Sequence, residues 1–125
     1  MIDHVSIEVR DLKRAAAFYE AVLATVGMTK VRDWPASIGF GKAYPEFWLN
    51  HRPAMAALGA DTGAHVCLRA RDKDAVDAFY GAALALGATT DGAPGMRPEY
   101  NDRYYAAFIR DPDGNRVEVV TFLEK

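Results

Sequence analysis

Three side chains of this sequence could together bind a divalent metal ion: His4, His65 and Glu118. Each histidine opens a segment of alternating polar and apolar residues, and Glu118 stands between two valines in "NRVEVV". Such alternation is typical of half-buried strands. Two histidines and one carboxylate form the ligand set that holds a divalent metal on one side and leaves the remaining positions open for substrate, water or dioxygen.

The two histidines are equivalent positions of an internal duplication. The segments "HVSIEVRDLKRAAAFYEAVL" from His4 and "HVCLRARDKDAVDAFYGAAL" from His65 align at a constant offset of 61 positions (65 − 4). A period this long does not fit a solenoid repeat, and it indicates two similar half-domains whose sheets meet or pack together. The duplication itself would therefore place the two histidines opposite each other across a pseudo-twofold axis.

Each copy predicts the element order βαβββ, which makes the fold class α+β. In the first copy, a strand over residues 2–9 is followed by Asp11 as a helix N-cap and by a helix that ends at Gly27. In the second copy, a strand over residues 65–70 precedes Asp72 or Asp74 as the cap of a helix over about 75–86. Several short strands follow each helix: "KVRDW", "SIGFG" and "EFWLNH", then "ATTDG", "YYAAFIR" and "NRVEVVTF".

The length and the duplication predict one domain over residues 1–125, made of a first module over 1–58 and a second over 64–125. Residues 59–63 form the linker between them. The turn "DPDGN" before the last strand predicts a β-hairpin.

Composition excludes several classes of partner. The formal net charge is -2, and no block of like charges predicts binding to nucleic acid or to a membrane. The single cysteine, Cys67, allows no intrachain disulfide and fits a reducing compartment. The first residues lack the basic and apolar regions of a signal peptide, and no apolar run is long enough to span a membrane, so we expect a cytoplasmic protein.

The three candidate ligands all fall on the sheet faces opposite the helices. A histidine or glutamate on a strand can also be an ordinary polar residue that meets solvent or an arginine, and this interpretation stays open for each of them alone. Their conjunction with the duplication and with the "DPDG" turn favours a metal site.

These features are also those of a known family. Over "IDHVSIEVRDLKRAAAFYEAVL", "HVCLRARDKDAVDAFYGAALALGA" and "YYAAFIRDPDGNRVEVV", the sequence resembles the vicinal oxygen chelate superfamily, which includes glyoxalase I, bleomycin-resistance proteins, fosfomycin-resistance thiol transferases and extradiol dioxygenases. The resemblance implies a glyoxalase-like fold, in which two βαβββ modules form an open cup-shaped sheet. It also implies that His4, His65 and Glu118 bind one divalent ion (Fe, Mn, Zn, Ni or Mg) at the floor of the cup.

One departure from the family pattern separates the possible reactions. Glyoxalase I supplies a second carboxylate from the last strand of the first module, where this chain has "PEFWLNH". Aligned with "RVEVVTF", the equivalent residue is Trp48, with Glu46 and Asn50 two residues away on the same face. Unless a register shift brings Glu46 into place as a fourth ligand, proton transfer by a metal-bound glutamate is disfavoured. The three-ligand pattern is instead similar to that of dioxygenases and fosfomycin-resistance enzymes, although no residue is an obvious acid-base partner beyond Tyr100, Tyr104 and His51.

Other residues could bind a small substrate. Aromatic side chains could line a wall for a flat ligand, or belong to the core: Trp34, Phe47, Trp48, Tyr100, Tyr104 and Phe122. Arg69 could bind a charged substrate group, but we favour its pairing with Glu8. We interpret Cys67 as a small core residue.

The segment "DGAPGMRPEYNDR" has two interpretations. It could be a lid that carries Arg97 or Arg103 to an anionic substrate group, or a surface excursion with solvated charges.

Two functions from different classes follow. The first is a metal-dependent enzyme, a lyase, isomerase, transferase or dioxygenase, whose small substrate chelates the ion through vicinal oxygens. The second is a metal-free binding protein, like the bleomycin-resistance members that sequester an aromatic, cationic drug. The ligand set favours the enzyme. The resemblance also implies a homodimer, in which the site lies within one chain or is shared between two.

Overall fold

Two four-stranded sheets, each with one helix on one face, make up the computed structural model, which describes residues 1–124. The elements in chain order are β1 (Val5–Val9), α1 (Leu12–Ala24), β2 (Thr29–Asp33), β3 (Ser37–Gly41), β4 (Phe47–His51), β5 (Val66–Arg69), α2 (Lys73–Ala85), β6 (Thr89–Met96), β7 (Tyr104–Arg110) and β8 (Arg116–Phe122). The predicted βαβββ order is confirmed in both modules. The first strand is shorter than predicted: it begins at Val5, and Ile2 is exposed.

The two sheets have the same topology. Their strand orders are β1-β4-β3-β2 and β5-β8-β7-β6, and the first strand of each module runs parallel to the last. Both helices start at an aspartate whose side chain accepts a backbone N–H three residues later: Asp11 from Arg14 at 3.0 Å and Asp72 from Ala75 at 2.9 Å. Of the two caps considered for α2, the structure therefore selects Asp72. Neither helix is long and apolar enough to cross a membrane within the described chain.

The helices cover one face of each sheet and touch each other, so that a single hydrophobic core spans both modules. Its largest fully buried side chains include Tyr19, Phe40, Phe47, Phe79 and Leu49. The opposite face of each sheet, here called the open face, carries no helix. The predicted alternation therefore decides which side chains are available for binding.

The turn between β7 and β8 fastens the two modules together. The carboxylate of Asp111 is buried, and it accepts hydrogen bonds from the Tyr19 hydroxyl at 2.6 Å, from two backbone N–H groups of the turn and from the Asn115 amide. The same amide donates to the Glu8 carbonyl at 2.8 Å, and Arg10 pairs with Asp113 at 3.0 Å. Burial raises the pKa of Asp111 above its ordinary value, and the pKa of Tyr19 is likewise raised, first by burial and then by the Asp111 charge.

Candidate functional site

The pairing of β5 with β8 brings His65 and Glu118 together on the open face of the second sheet. Cys67 and Glu118 are directly paired in the parallel register, and His65 immediately precedes β5. The His65 Nε2 atom lies 2.9 Å from Glu118 Oε1, and the hydroxyl of Tyr104 donates a hydrogen bond to Glu118 Oε2. Only 5% of the Glu118 side chain is exposed, against 44% of His65. The carboxylate therefore forms the floor of this site, and the imidazole forms its accessible wall.

Burial of Glu118 needs partners for both oxygens, because an unpaired buried carboxylate is strongly unfavourable. These partners are His65, immediately before β5, and Tyr104, at the start of β7. Burial raises the pKa of the Tyr104 phenol above its ordinary value, and the hydrogen bond to Glu118 raises it further, so the hydroxyl is a donor at neutral pH. This triad is the most specific polar cluster on the open face.

Cys67 lies beside this triad rather than in the core. The prediction of a core cysteine is wrong, because the residue is exposed on the open face. Desolvation, and then the charge of Glu118, raise the pKa of its thiol to about 12. The thiol is therefore protonated at neutral pH and is a poor nucleophile despite its exposure.

His4 lies on the first module, among aromatic side chains. Its Nδ1 atom lies 2.7 Å from Asp3 Oδ1, and the hydroxyl of Tyr44 donates to the same carboxylate. The indole rings of Trp34 and Trp48 stand 5.0 Å apart on the same open face. A cavity of about 310 Å³ is lined by His4 together with these rings, Ser6, Ser37, Pro45 and Asn50. This half of the open surface therefore carries an indole pair next to His4.

The three predicted metal ligands do not form one cluster within the described residues. His4 and His65 line a common cavity of about 500 Å³, but residues 1–124 contain no group of three histidine, cysteine, aspartate or glutamate side chains close enough to hold an ion. The structure thus brings together His65 and Glu118, and places His4 on the other module.

The registers of the two sheets show which residue of the first module corresponds to Glu118. Ser6 pairs with Trp48 in the first sheet as Cys67 pairs with Glu118 in the second. Glu46 immediately precedes β4. Its backbone N–H donates to the Phe40 carbonyl and its carbonyl accepts the Val5 N–H, at 2.9 Å each. These hydrogen bonds continue the register of the strand, so no register shift moves Glu46 to the position of Trp48. Trp48 therefore stands where a second carboxylate would be.

The remaining aromatic predictions divide between core and open face. Of the two interpretations open for Phe47, the structure supports the core: its side chain is buried on the helix side because it neighbours Trp48 on the strand. Tyr100, Tyr104 and Phe122 stack edge to face, with ring centroids 5.2 and 5.3 Å apart. They extend the floor of the site along the second sheet.

The predicted pairing of Arg69 with Glu8 is also wrong. The Arg69 guanidinium lies 4.6 Å from the centre of the Phe122 ring, and no ion pair joins it to Glu8 among residues 1–124. Arg97 lies over Phe108 in a similar way, at 5.3 Å. Both cations therefore flank the open face of the second module, stacked on aromatic rings.

The segment over residues 91–103, for which a lid and a surface excursion were both open, is divided between the end of β6 and the connection to β7. β6 continues to Met96 with irregularities in its pairing, and a connection over residues 97–103, whose ends are joined by a hydrogen bond from the Arg97 N–H to the Tyr104 carbonyl at 2.8 Å, leads into β7. The Nε–H of Arg103 donates to the Leu123 carbonyl at 2.6 Å, so this side chain is bound to the backbone rather than directed to a substrate. The glycine at 92 leaves room for the Phe108 ring, since a Cβ there would lie 2.9 Å from Phe108 Cδ1. A Cβ at 92 or 95 would also lie 3.1 or 3.2 Å from the Arg97 guanidinium.

The spacing of the His65 and Glu118 atoms fits a metal site. Two adjacent ligands of an ion with bonds of about 2.1 Å at right angles stand about 3.0 Å apart. The 2.9 Å between His65 Nε2 and Glu118 Oε1 is the length of the hydrogen bond that joins them in this structure, and it also agrees with that value. Nitrogen and carboxylate donors suit the common first-row divalent metals. These two residues are therefore compatible with neighbouring positions on one ion.

The fold defines a class of protein, and the comparison of sequences agrees with it. The sequence model of the Glyoxalase/Bleomycin resistance protein/Dioxygenase superfamily matches residues 1–119. The chain belongs to this superfamily, and its two βαβββ modules, forming sheets that do not close, are the glyoxalase fold.

Solved structures extend this relationship. A glyoxalase/bleomycin resistance protein from Albidiferax ferrireducens T118 is 29% identical, with 94% of this chain and 96% of that chain covered and a TM-score of 0.80. A lactoylglutathione lyase from Agrobacterium tumefaciens is 27% identical, with coverage of 96% and 92% and a TM-score of 0.65. A family enzyme from Burkholderia phytofirmans PsJN, 24% identical with 98% of both chains covered, shares the fold at a TM-score of 0.76. No curated protein matches the chain.

Proposed function

We propose that this protein is a divalent-metal enzyme whose small substrate chelates the ion through two vicinal oxygens. The observation that carries the proposal is the pair of His65 Nε2 and Glu118 Oε1, 2.9 Å apart on the open face. His65 and Glu118 would be two ligands of the ion, and His4 the third. When bound, such an ion supplies Lewis-acid polarisation of substrate oxygens or, for a redox metal, oxygen chemistry.

Two copies of the chain would share the site. His4 lies on the first module beside Trp48, whereas His65 and Glu118 lie on the second. A homodimer that sets the first module of one copy against the second module of the other would bring a histidine to each His65–Glu118 pair. It would also place the Trp34–Trp48 pair opposite the His65–Glu118 pair.

The residues around the pair indicate how the substrate would be held. Trp48 offers an indole face where a second carboxylate would stand, which disfavours proton transfer by a metal-bound glutamate from the first module. Tyr100 and Tyr104 line the floor, and Arg69 and Arg97 flank it with positive charge. These groups would orient a small ligand that carries an apolar part and an anionic group.

Mixing two inactive variants tests the shared site. His4→Ala and His65→Ala are each expected to bind little Mn²⁺, because each dimer site lacks one ligand. After the two are unfolded together and refolded as an equal mixture, about half of the dimers should be mixed, each with one intact site. Equilibrium dialysis should then recover about a quarter of the parent capacity.

His51→Ala mixed with His65→Ala is the matched control. His51 also lies on the first module, at the end of β4, and its variant should bind like the parent. No recovery for the His4→Ala mixture would place all ligands within one chain and contradict the sharing. Full Mn²⁺ binding by His65→Ala alone would contradict the metal site itself.

A second candidate function is metal-free binding of a planar ligand. The Trp34–Trp48 pair and Tyr44 around the cavity of about 310 Å³ favour it. Binding of such a ligand would be unaffected by a chelator, whereas the enzyme would lose its activity.

A further inference from the structure

Tyr104 reaches Glu118 by lying along the sheet. In the β7–β8 register Tyr104 is opposite Phe122, and Glu118 is opposite Phe108, four residues farther along β7. The hydroxyl of Tyr104 nevertheless donates to Glu118 Oε2. Because four residues of strand span about 13 Å, the phenol ring has to extend over the strand pair toward the carboxylate.

Two small side chains make room for this ring. Ala106 and Val120 face each other between the two ends of that span, and both are buried although they lie on the open face, outside the helix-side core. Phe122 and Tyr100 contact the Tyr104 ring edge on, at 5.3 and 5.2 Å. The two neighbouring rings therefore restrain the Tyr104 ring, and the small, buried Ala106–Val120 pair lies between it and Glu118 in the strand register.

The two oxygens of Glu118 consequently have different surroundings. Oε2 accepts the Tyr104 hydroxyl, whereas Oε1 lies beside His65 Nε2. Outer-shell hydrogen bonds of this kind orient a ligating carboxylate and tune the metal it binds.

We propose that Tyr104 is a positioning residue that holds Glu118 through Oε2, so that an ion bound beside His65 would meet the carboxylate at Oε1. The proposal rests on the metal site proposed above. Tyr104 acts here through Glu118 and does not itself bind the ion. A hydroxyl-free ring at this position would leave Oε2 free to rotate toward the metal or away from it.

The chain offers a matched control in the next residue. Tyr105 lies on the opposite face of β7, and its hydroxyl also donates to a carboxylate, that of Asp77, at 2.6 Å. Tyr105→Phe therefore removes a phenol–carboxylate hydrogen bond of the same kind at a distance from the site. Tyr104→Phe retains the ring and its packing, and thermal unfolding verifies that both variants are folded.

The experiment measures binding of Co²⁺ alone, by competition with a chelating dye, and the visible absorption of the Co²⁺-loaded protein. We expect Tyr104→Phe to weaken Co²⁺ binding by about tenfold to a hundredfold and to change the absorption spectrum, since the carboxylate is no longer held through one oxygen. Tyr105→Phe should match the parent in both measurements.

The outcomes separate the two proposals. A parent that binds Co²⁺ together with a Tyr104→Phe variant of equal affinity and identical spectrum would overturn the positioning role and leave the metal site intact. A change of the same size in Tyr105→Phe would also overturn it, since a general loss of stability would then explain the effect. A parent that binds no Co²⁺ would overturn both.

Discussion

Glu118→Gln is expected to weaken binding of a divalent metal by at least about 100-fold while the protein stays folded. The substitution keeps the shape of the side chain and removes the charge of the carboxylate that lies 2.9 Å from His65. A neutral amide is a much weaker ligand for a hard or borderline cation than a carboxylate, and loss of even an outer-shell partner costs 10-fold to 100-fold in affinity. Titration with Mn²⁺, Ni²⁺ and Zn²⁺ measures the change.

Glu46→Gln is the control for that titration. Glu46 is an exposed carboxylate that lines the cavity shared by His4 and His65, but it is not at the position equivalent to Glu118. Its affinity for each metal should stay within about threefold of the parent. If Glu46→Gln lost as much affinity as Glu118→Gln, Glu46 would be a fourth ligand, and a chemistry closer to that of glyoxalase I would be favoured.

Asp111→Ala is expected to lower the free energy of unfolding by about 3 to 5 kcal/mol. The substitution leaves the fully buried Tyr19 hydroxyl and two backbone N–H groups of the turn without their acceptor. It also releases Asn115, which joins the turn to the first module through the Glu8 carbonyl. Urea unfolding followed by circular dichroism gives the value, and the melting temperature should fall by roughly 10 °C or more.

Asp113→Ala provides the comparison within the same turn. Asp113 accepts the Arg10 backbone N–H and pairs with its partly exposed guanidinium, and we expect loss of both to cost about 1 to 2 kcal/mol. Equal effects of the two substitutions would show that the turn conformation, rather than the buried Asp111 network, fastens the modules.

Much of the fold is predictable because both copies of the duplication predict the same order of elements. The alignment of His4 with His65 fixes two copies of one element order, and each aspartate cap marks the same helix start. Strand parity then puts Trp48 and Glu118 at equivalent positions, as the registers confirm. These conclusions depend on local periodicity, which the sequence carries directly.

Other features depend on side-chain contacts between strands and between modules, which a local sequence pattern does not specify. The extension of Tyr104 over Ala106 to Glu118 requires the β7–β8 register and a small residue below the ring. The stacking of Arg69 on Phe122 likewise joins two strands that are far apart in the sequence. The role of Asp111 could have been suspected, since "DPDGN" places it at a turn, but its partner Tyr19 lies 92 positions away.

The most direct test of the account is the metal content of the untagged parent protein, determined by mass spectrometry after incubation with Fe²⁺, Mn²⁺, Ni²⁺ and Zn²⁺ and removal of free metal. We expect about one equivalent of a divalent ion per chain, which is lost in His65→Ala and Glu118→Ala. No bound metal in the parent under any of these conditions would contradict this expectation and would favour the metal-free binding protein.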